Sequence, residues 1–283
     1  MLSVIKNRLR PKLPALQKKP QARNNRISPI RRPRRFFFPE ALESSGQNIR
    51  LSIAETHHLQ EVLRLQKGDR CLLIDGAGRS AEARVSGETS QGLACLVVEK
   101  LMPVKNRAVM ILKLRLYPAL LQKGKLDDLV EKAQELAVEE IIPIETKHTV
   151  LKMDEKAKMK VTLRWEKIAQ AAAKQSGVSQ LVKIQPPRKF EKIVAGIPEN
   201  ERAVLFHPLG KTEAFKDWVR ELSPGETLHL FLGPEGGFSD SEVALFSQRR
   251  GKKNIVGLGE TLLKADTAFI GVVSALRFLF ASS

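Results

Sequence analysis

The chain has few of the residues that mark metal sites, disulfide frameworks and membrane spans. Its two cysteines, Cys71 and Cys95, form no C-x-x-C pair, and its five histidines include no H-x-x-x-H pair. We therefore expect no metal site and two reduced core thiols, as in a cytosolic protein. The most apolar stretch, residues 268–281, is too short to cross a bilayer and contains Arg277, so membrane insertion is not expected.

Acidic residues are absent from the first 39 positions, which hold twelve of the Lys and Arg residues of a chain with a formal net charge of +17. Residues 1–34 are rich in Pro, Asn and Gln and lack apolar periodicity, which predicts a disordered basic tail. Three interpretations stay open: an arm that binds RNA phosphates, which we favour, an organelle transit peptide, or a solvated leader without a role. Scarce Ser and several prolines argue against the transit peptide.

One glycine-rich segment, Phe231 to Ser239, reads FLGPEGGFS and fits neither common nucleotide-binding fingerprint. No Gly-Lys-Ser/Thr follows it, and its glycines do not match G-x-G-x-x-G. An apolar run before it predicts a buried strand, and Ser239 with Glu242 forms the S-x-x-E pattern that caps a helix start. Strand, glycine turn and capped helix together expose backbone amides to a ligand.

A second segment of the same kind, residues 255–268, predicts a strand, a glycine turn and a helix from Ala265 to about Ala281. A third strand, residues 203–206, ends at the turn 207–210. Because parallel strands end at the same edge of a sheet, we expect these three loops to lie together.

The rest of the chain divides into two patterns. Short strands and turns dominate residues 35–102, with strands over 35–39, 70–76, 80–85 and 93–98 and one helix over 55–64, which suits a small β-barrel. After a linker at 103–107, strands and helices alternate: strands at 108–116 and 141–144, and helices at 124–138 and 158–175, the last stopped at 176–177. Alternation of this kind predicts a parallel α/β sheet.

The two glycine segments together resemble those of the SPOUT methyltransferases. They are most similar to the family that methylates N3 of a uridine in small-subunit (16S) ribosomal RNA. That family reads L-x-G-P-E-G-G-x-x-x-x-E in one loop and L-G-x-x-I-L-R-x-E-T-A in the next, and the resemblance extends over nearly all of the chain from Arg35. It implies a trefoil-knotted α/β methyltransferase domain over 108–283, a PUA-like RNA-binding β-barrel domain over 35–102, and a homodimer.

The resemblance also implies S-adenosylmethionine (SAM) as the cofactor. It places the cofactor-binding residues in the three loops: His207, Pro208, Leu232, Gly233, Glu235, Gly236, Leu258, Gly259 and Leu263. The family run H-x-x-x-V-L-R, present at 58–64, implies RNA contacts by His58 and Arg64. For Arg64, a solvated helix end is the alternative.

Methyl transfer to N3 of a uridine needs alignment and the loss of the N3 proton. Lys264 and Arg277 are candidate cations that would stabilise the resulting anion, and Asp266 or Glu235 are candidate bases. Two alternatives stay open: Glu235 bonding the amides of its own loop, which we favour, and Asp266 capping the last helix.

Several positions depart from the family pattern. Thr261 and Lys264 stand where Arg is usual, and Asp266 stands where Glu is usual. Residues 147–150 and 174–178 lack acids and arginines that the family has there. Ala137 replaces the Gly of K-x-x-E-L-G, a change that we expect to matter little on a helix.

Both glycine loops are intact, so we expect an active, cytoplasmic SAM-dependent enzyme whose partner is small-subunit ribosomal RNA or the assembled subunit. A non-catalytic RNA-binding ribosome assembly factor is the alternative from another class, and methylation of a ribose 2′-oxygen is a third possibility. SAM binding separates the first two, because only the enzyme predicts that the cofactor stabilises the fold.

Overall fold

The computed structural model describes residues 34–102, 112–121, 124–149, 151–207 and 213–280. The predicted tail (apart from Arg34), the predicted linker and Pro208 lie outside these residues. Among the helices that are described, none is long and apolar enough to span a membrane.

The N-terminal part folds into one five-stranded sheet. Its strands are β1 (Arg35–Phe37), β2 (Asn48–Arg50), β3 (Arg70–Ile74), β4 (Ser80–Glu88) and β5 (Ala94–Met102). The spatial order is β1-β3-β4-β5-β2, in which only the β1–β3 pair is parallel. Alternate residues of β4 and β5 are buried against Phe36, Leu59 and Leu73, as expected for a sheet with one apolar face. Cys71 and Cys95 are both free thiols, and burial raises the pKa of Cys71 to about 12.

The helix expected over 55–64 differs in extent and geometry. Helix α1 (Ile53–His57) begins earlier, with the side chain of Ser52 accepting a hydrogen bond from the Glu55 amide. A π-helical turn follows from His58 to Val62. The chain leaves that turn at Arg64 with φ of 51°, a left-handed conformation that is uncommon for residues other than glycine.

The C-terminal part contains two further sheets. Its strands are β6 (Lys113–Pro118), β7 (Glu140–Ile141), β8 (Ile144–Glu145), β9 (Lys183–Ile184), β10 (Arg188–Lys189), β11 (Arg202–Phe206), β12 (Glu213–Ala214), β13 (Thr227–Leu232) and β14 (Lys253–Gly257). Seven of them form a parallel sheet in the order β12-β14-β11-β13-β6-β7-β9, and β8 pairs with β10. This confirms the predicted parallel α/β architecture.

Helices cover both faces of the larger sheet. They are α2 (Lys125–Glu135), α3 (Glu155–Ser176), α4 (Phe190–Gly196), α5 (Phe215–Arg220), α6 (Asp240–Gln248) and α7 (Ala265–Leu279). Successive residues of a strand point to opposite faces. Accordingly, Leu230 joins the core under α2, α3, α5 and α7, and Phe231 joins the core under α4 and α6.

Three expectations about this part were wrong in detail. Of the strand expected over 108–116, residues 108–111 lie outside the described residues, and β6 extends beyond the expected end, to Pro118. The strand expected over 141–144 is split into β7 and β8, because the chain turns at Pro143 into another sheet. Helix α2 ends at Glu135, and Ala137 follows with φ of 54°. Ala137 is therefore not helical, and the loss of the family's glycine matters more than expected, since only glycine enters this region without strain.

The end of α3 contacts the N-terminal sheet. Gly177, with φ of 77°, ends the helix as predicted, and the Arg35 guanidinium donates to the carbonyls of Lys174 (3.0 Å) and Gln175 (3.3 Å). The Lys174 ammonium lies 2.6 Å from the Glu55 carboxylate of α1. Both cations lie at the C-terminus of α3, where the carbonyl dipoles stabilise positive charge. The Arg35 and Glu55 contacts therefore join the two parts through α3.

Candidate functional site

The three strands that lead into the glycine and polar loops end at one edge of the seven-stranded sheet, as the sequence predicted. Strand β11 pairs in parallel with β13 on one side and with β14 on the other. Phe206 is level with Leu232 and with Val256, so the chain leaves all three strands at the same edge. Ligands of open α/β sheets bind at this carboxyl edge.

A cavity of about 380 Å³ opens between these loops. Residues from the ends of β11, β13 and β14 and from the start of α7 line it: Phe206, His207, Leu232, Gly233, Pro234, Glu235, Gly237, Phe238, Leu258, Gly259, Thr261, Leu262, Leu263, Lys264, Ala265 and Ala268. Its size and its mostly apolar lining with a few charged groups are typical of a small-molecule site.

Most of the residues expected to bind the cofactor surround this cavity. Those in its lining are His207, Leu232, Gly233, Glu235, Leu258, Gly259 and Leu263. Gly236 lies outside the lining and faces His148 instead, and Pro208 is not among the described residues.

The first glycine loop is held by close packing and by a helix cap. A Cβ atom at Gly233 would lie 3.2 Å from the Phe238 ring, so this position has little room for a side chain. At the other end of the loop, the buried Glu242 carboxylate accepts from the Ser239 amide at 2.8 Å and from the Ser239 hydroxyl at 2.8 Å. The predicted S-x-x-E cap at the start of α6 is confirmed.

A neighbouring loop, residues 146–149, packs on the same turn. The Lys147 amide donates to the second oxygen of Glu242 at 2.8 Å, and His148 Nδ1 donates to the Gly237 carbonyl at 3.1 Å. A Cβ atom on Gly236 would lie 3.4 Å from the His148 Cβ. Sequence reasoning had noted residues 147–150 only as a departure, and no local pattern pointed to this contact.

The charged groups of the site come from three elements. Lys264 precedes α7 and lines the cavity, whereas Asp266 is the second residue of that helix, with Oδ1 accepting from the Thr267 amide at 2.9 Å. Lys264 occupies the N-cap position without a capping hydrogen bond from its side chain, and Asp266 accepts from a first-turn amide instead, so the capping alternative for Asp266 stays open.

Glu235 forms an ion pair that the sequence did not predict. The Lys125 ammonium, at the start of α2, lies 2.5 Å from Glu235 Oε1. This hydrogen bond lowers the pKa of Glu235 and raises the pKa of Lys125, and the nearby charge of Asp266 raises both. A carboxylate held in its charged form by an ammonium is a weak general base, which favours a structural role for Glu235.

The remaining predicted residues lie elsewhere. Arg277 is twelve residues beyond the start of α7, about 18 Å along the helix axis, and its guanidinium donates to the Glu135 carbonyl at 3.4 Å. His58 packs edge-on against the Phe36 ring, with ring centroids 5.9 Å apart, and Arg64 is exposed at the end of the same turn. None of the three lines the cavity.

A buried polar cluster surrounds His229 of β13. This residue is 2% exposed; its Nδ1 accepts from the Tyr117 hydroxyl at 2.8 Å, and its Nε2 donates to Glu201 at 2.6 Å. Burial lowers the pKa of His229 against the opposing effect of Glu201. The pairing matches a neutral imidazole, and the ring adjoins Tyr117 in a stack with centroids 5.6 Å apart.

The residues of the cavity fit SAM. Backbone groups of the two glycine loops are available to read an adenine edge, and Leu232, Leu258 and Leu263 provide apolar walls. In the part of the chain that is described, no three His, Cys, Asp or Glu side chains cluster as a metal site would require.

Comparisons with known proteins agree with this site. An RNA methyltransferase domain model matches residues 110–277, and an RNA methyltransferase PUA domain model matches residues 54–98. The chain is 28% identical to the ribosomal RNA small subunit methyltransferase E of Bacillus subtilis over 79% of this chain and 87% of that protein. It is 30% identical to the ribosomal RNA small subunit methyltransferase E 2 of Borreliella burgdorferi over 76% and 84%.

Solved structures give the same fold. A methyltransferase from Legionella pneumophila, in complex with bound SAM, is 25% identical and superposes with a TM-score of 0.78 over 89% of this chain and all of that one. The ribosomal RNA small subunit methyltransferase E from Neisseria gonorrhoeae, bound to SAM, is 24% identical, with a TM-score of 0.76 over 88% and 98%.

Proposed function

Because the chain belongs to the ribosomal RNA small subunit methyltransferase E family, we propose that it transfers a methyl group from SAM to N3 of a uridine in small-subunit ribosomal RNA. The observation that carries this proposal is the cavity that both glycine loops form at the shared edge of β11, β13 and β14.

The protein contributes binding and alignment. SAM supplies an electrophilic methyl group on a sulfonium when bound. Gly233 and Gly259, which carry no side chain, would let the loop backbones hold the cofactor, and Leu232 and Leu263 would provide apolar walls around it. Alignment of reactants in such a site accounts for much of the rate of a displacement at carbon.

The charged groups support a division of roles around the N3 proton. Lys264 lines the cavity, which supports a role for its ammonium in stabilising the uridine anion. Arg277 bonds the end of α2 of its own chain, which argues against a direct role in that chain's cavity. Asp266 remains the candidate base, since Glu235 is engaged by Lys125.

We also propose a homodimer that acts in the cytoplasm on the rRNA or the assembled subunit. The exposed face of α7 presents Ile270 and Phe278, which are 44% and 75% exposed, and Leu279, at the end of the helix, is 62% exposed. An apolar helix face of this kind is stabilised by a second copy. Monomeric behaviour in light scattering at micromolar concentration would contradict the dimer.

The decisive experiment supplies radiolabelled SAM and small ribosomal subunits that lack their uridine-N3 methyl group. Nuclease digestion and mass spectrometry identify the labelled nucleoside, and naked rRNA is assayed in parallel. N3-methyluridine supports the proposal, whereas 2′-O-methyluridine assigns another acceptor atom. If the RNA carries no label and the protein does not bind SAM, the proposed enzymatic activity is wrong, and an RNA-binding assembly factor is the remaining interpretation.

A further inference from the structure

Helix α3 connects the N-terminal sheet with the surroundings of the cavity. Its 22 residues extend about 33 Å. Near its start, the Lys158 ammonium lies 2.8 Å from Glu145, the residue directly before the loop 146–149 that packs on the glycine turn. At its end, Lys174 pairs with Glu55, three residues before His58.

One face of this helix is exposed and positively charged. Lys156, Lys160 and Lys167 lie within about 40° of one another around the axis and span about 16 Å along it, and all three are exposed. Met159 and Leu163 lie beside them and are 63% and 57% exposed. We call the three lysines, with these two apolar neighbours, the α3 ridge.

The charges of the ridge are not neutralised within the described residues. The other three cations of the helix pair with acids of neighbouring residues: Lys158 with Glu145 and Glu155, Arg164 with Asp127, and Lys174 with Glu55. For Lys156, Lys160 and Lys167, the described residues provide no ion pair. The helix's two acids, Glu155 and Glu166, are turned about 80–100° from Lys156.

We infer that the α3 ridge binds backbone phosphates of the RNA substrate and guides the strand between the N-terminal sheet and the cavity. This inference rests on the proposed function and names a surface for its substrate. Unpaired lysines spaced along a helix complement a polyanion. The exposed apolar side chains of Met159 and Leu163 contact sugar and base surfaces.

The ridge lies on a helix whose C-terminal end contacts the N-terminal sheet. Lys174, which pairs with Glu55, lies on the same side of α3 as the ridge lysines, whereas Lys158, which pairs with Glu145, lies about 160° around the axis from Lys156. An RNA strand along the ridge is therefore directed towards the N-terminal sheet, which carries the predicted RNA-binding residues. Phosphate contacts of this kind fix register while base contacts determine which nucleotide enters the site.

The test measures the salt dependence of binding of in vitro-transcribed 16S rRNA. The wild type is compared with Lys160→Gln/Lys167→Gln and with the control Lys189→Gln/Lys192→Gln. The control removes the same charge from exposed lysines at the start of α4, on the opposite face of the sheet. Loss of two phosphate contacts reduces the slope of log K against log salt by roughly 1.4–1.8. The control leaves the slope unchanged.

Methyl transfer and SAM titration separate this inference from the proposed function. The ridge variant is expected to raise KM for RNA, with kcat at saturating RNA and SAM affinity unchanged. If the wild type binds rRNA but methylates none, the proposed function fails. The slopes of log K against log salt still show whether the ridge contacts RNA phosphates. Equal slopes for the ridge variant and the control overturn the inference, as does absence of rRNA binding by the wild type. A ridge variant that dissociates into monomers in sedimentation would assign the face to a second copy instead.

Discussion

The Lys125 ammonium lies 2.5 Å from the Glu235 carboxylate, and this pair connects the start of α2 to the first glycine loop across 110 residues of sequence. Asp266, at the start of α7, is near enough for its charge to act on both. Charges from α2, the first glycine loop and α7 therefore act on one another beside the cavity.

Substitution of Lys125 tests this connection. We expect Lys125→Gln to weaken SAM binding by no more than about fivefold, because the pair is partly exposed and screened. The loss should be larger at low salt, as calorimetric titration at two ionic strengths would show. Lys216→Gln, which removes an exposed lysine of α5, is the matched control and should bind SAM as the wild type does. A Lys125 variant indistinguishable from that control would mean that the pair does not position the loop.

The second glycine loop depends on a backbone conformation. Gly259 has φ of 104°, and its Cβ position is open, so a substitution there acts through strain rather than through a clash. We expect Gly259→Ala to lower SAM affinity by about five- to a hundredfold, the equivalent of about 1–3 kcal/mol of strain. The control is Gly196→Ala, at the open end of α4. If Gly259→Ala retained full affinity, the loop conformation would not be required for binding.

Ala137 provides a stabilising substitution. It follows α2 with φ of 54°, where a β-carbon is unfavourable. Ala137→Gly should therefore raise the free energy of unfolding by about 1 kcal/mol, part of the relief being offset by the larger entropy of the unfolded chain. Denaturant unfolding measures the change, and Ala171→Gly on the exposed face of α3 should instead destabilise by about 1 kcal/mol.

The Lys174–Glu55 pair explains one departure from the family pattern. An acid at position 174, as in the family, would face the Glu55 carboxylate at the distance that now separates an ion pair. Lys174→Glu should therefore destabilise the fold, and Glu55→Lys in the same chain should restore part of the loss. A double-mutant cycle is expected to give a coupling of about 1 kcal/mol. Coupling near zero would show that the contact contributes nothing to the joining of the two parts.

His229 makes stability depend on pH. Burial lowers its pKa in the folded protein, reinforced by Arg115 and Arg249 and opposed by Glu201. The unfolded chain therefore takes up a proton first, near pH 6.5, and stability present above that pH is lost as the pH falls towards the folded pKa. His229→Gln should show a smaller decrease in unfolding free energy between about pH 7.5 and pH 5. Equal pH dependence in both proteins would mean that His229 does not control it.

Local patterns were sufficient for the elements that position the cofactor. Glycine turns after apolar strands, the Ser239–Glu242 cap and the Gly177 stop each depend on residues within a few positions of one another. The parallel direction of the strands followed because alternation of strands and helices predicts a parallel sheet. The same reasoning missed the split between β7 and β8, since an apolar run does not show where a strand changes sheets.

The sequence by itself thus determined the parallel sheet and the two glycine loops at its edge, and the family resemblance implied seven of the residues that line the cavity between them. Only the tertiary structure decided that Lys125 holds Glu235, that Glu55 pairs with Lys174, and that Tyr117 and Glu201 enclose His229. The physical reason is separation along the chain. Hydrogen bonds and ion pairs between residues 28 to 119 positions apart leave no local pattern, and they exist only after the sheet has brought their elements together.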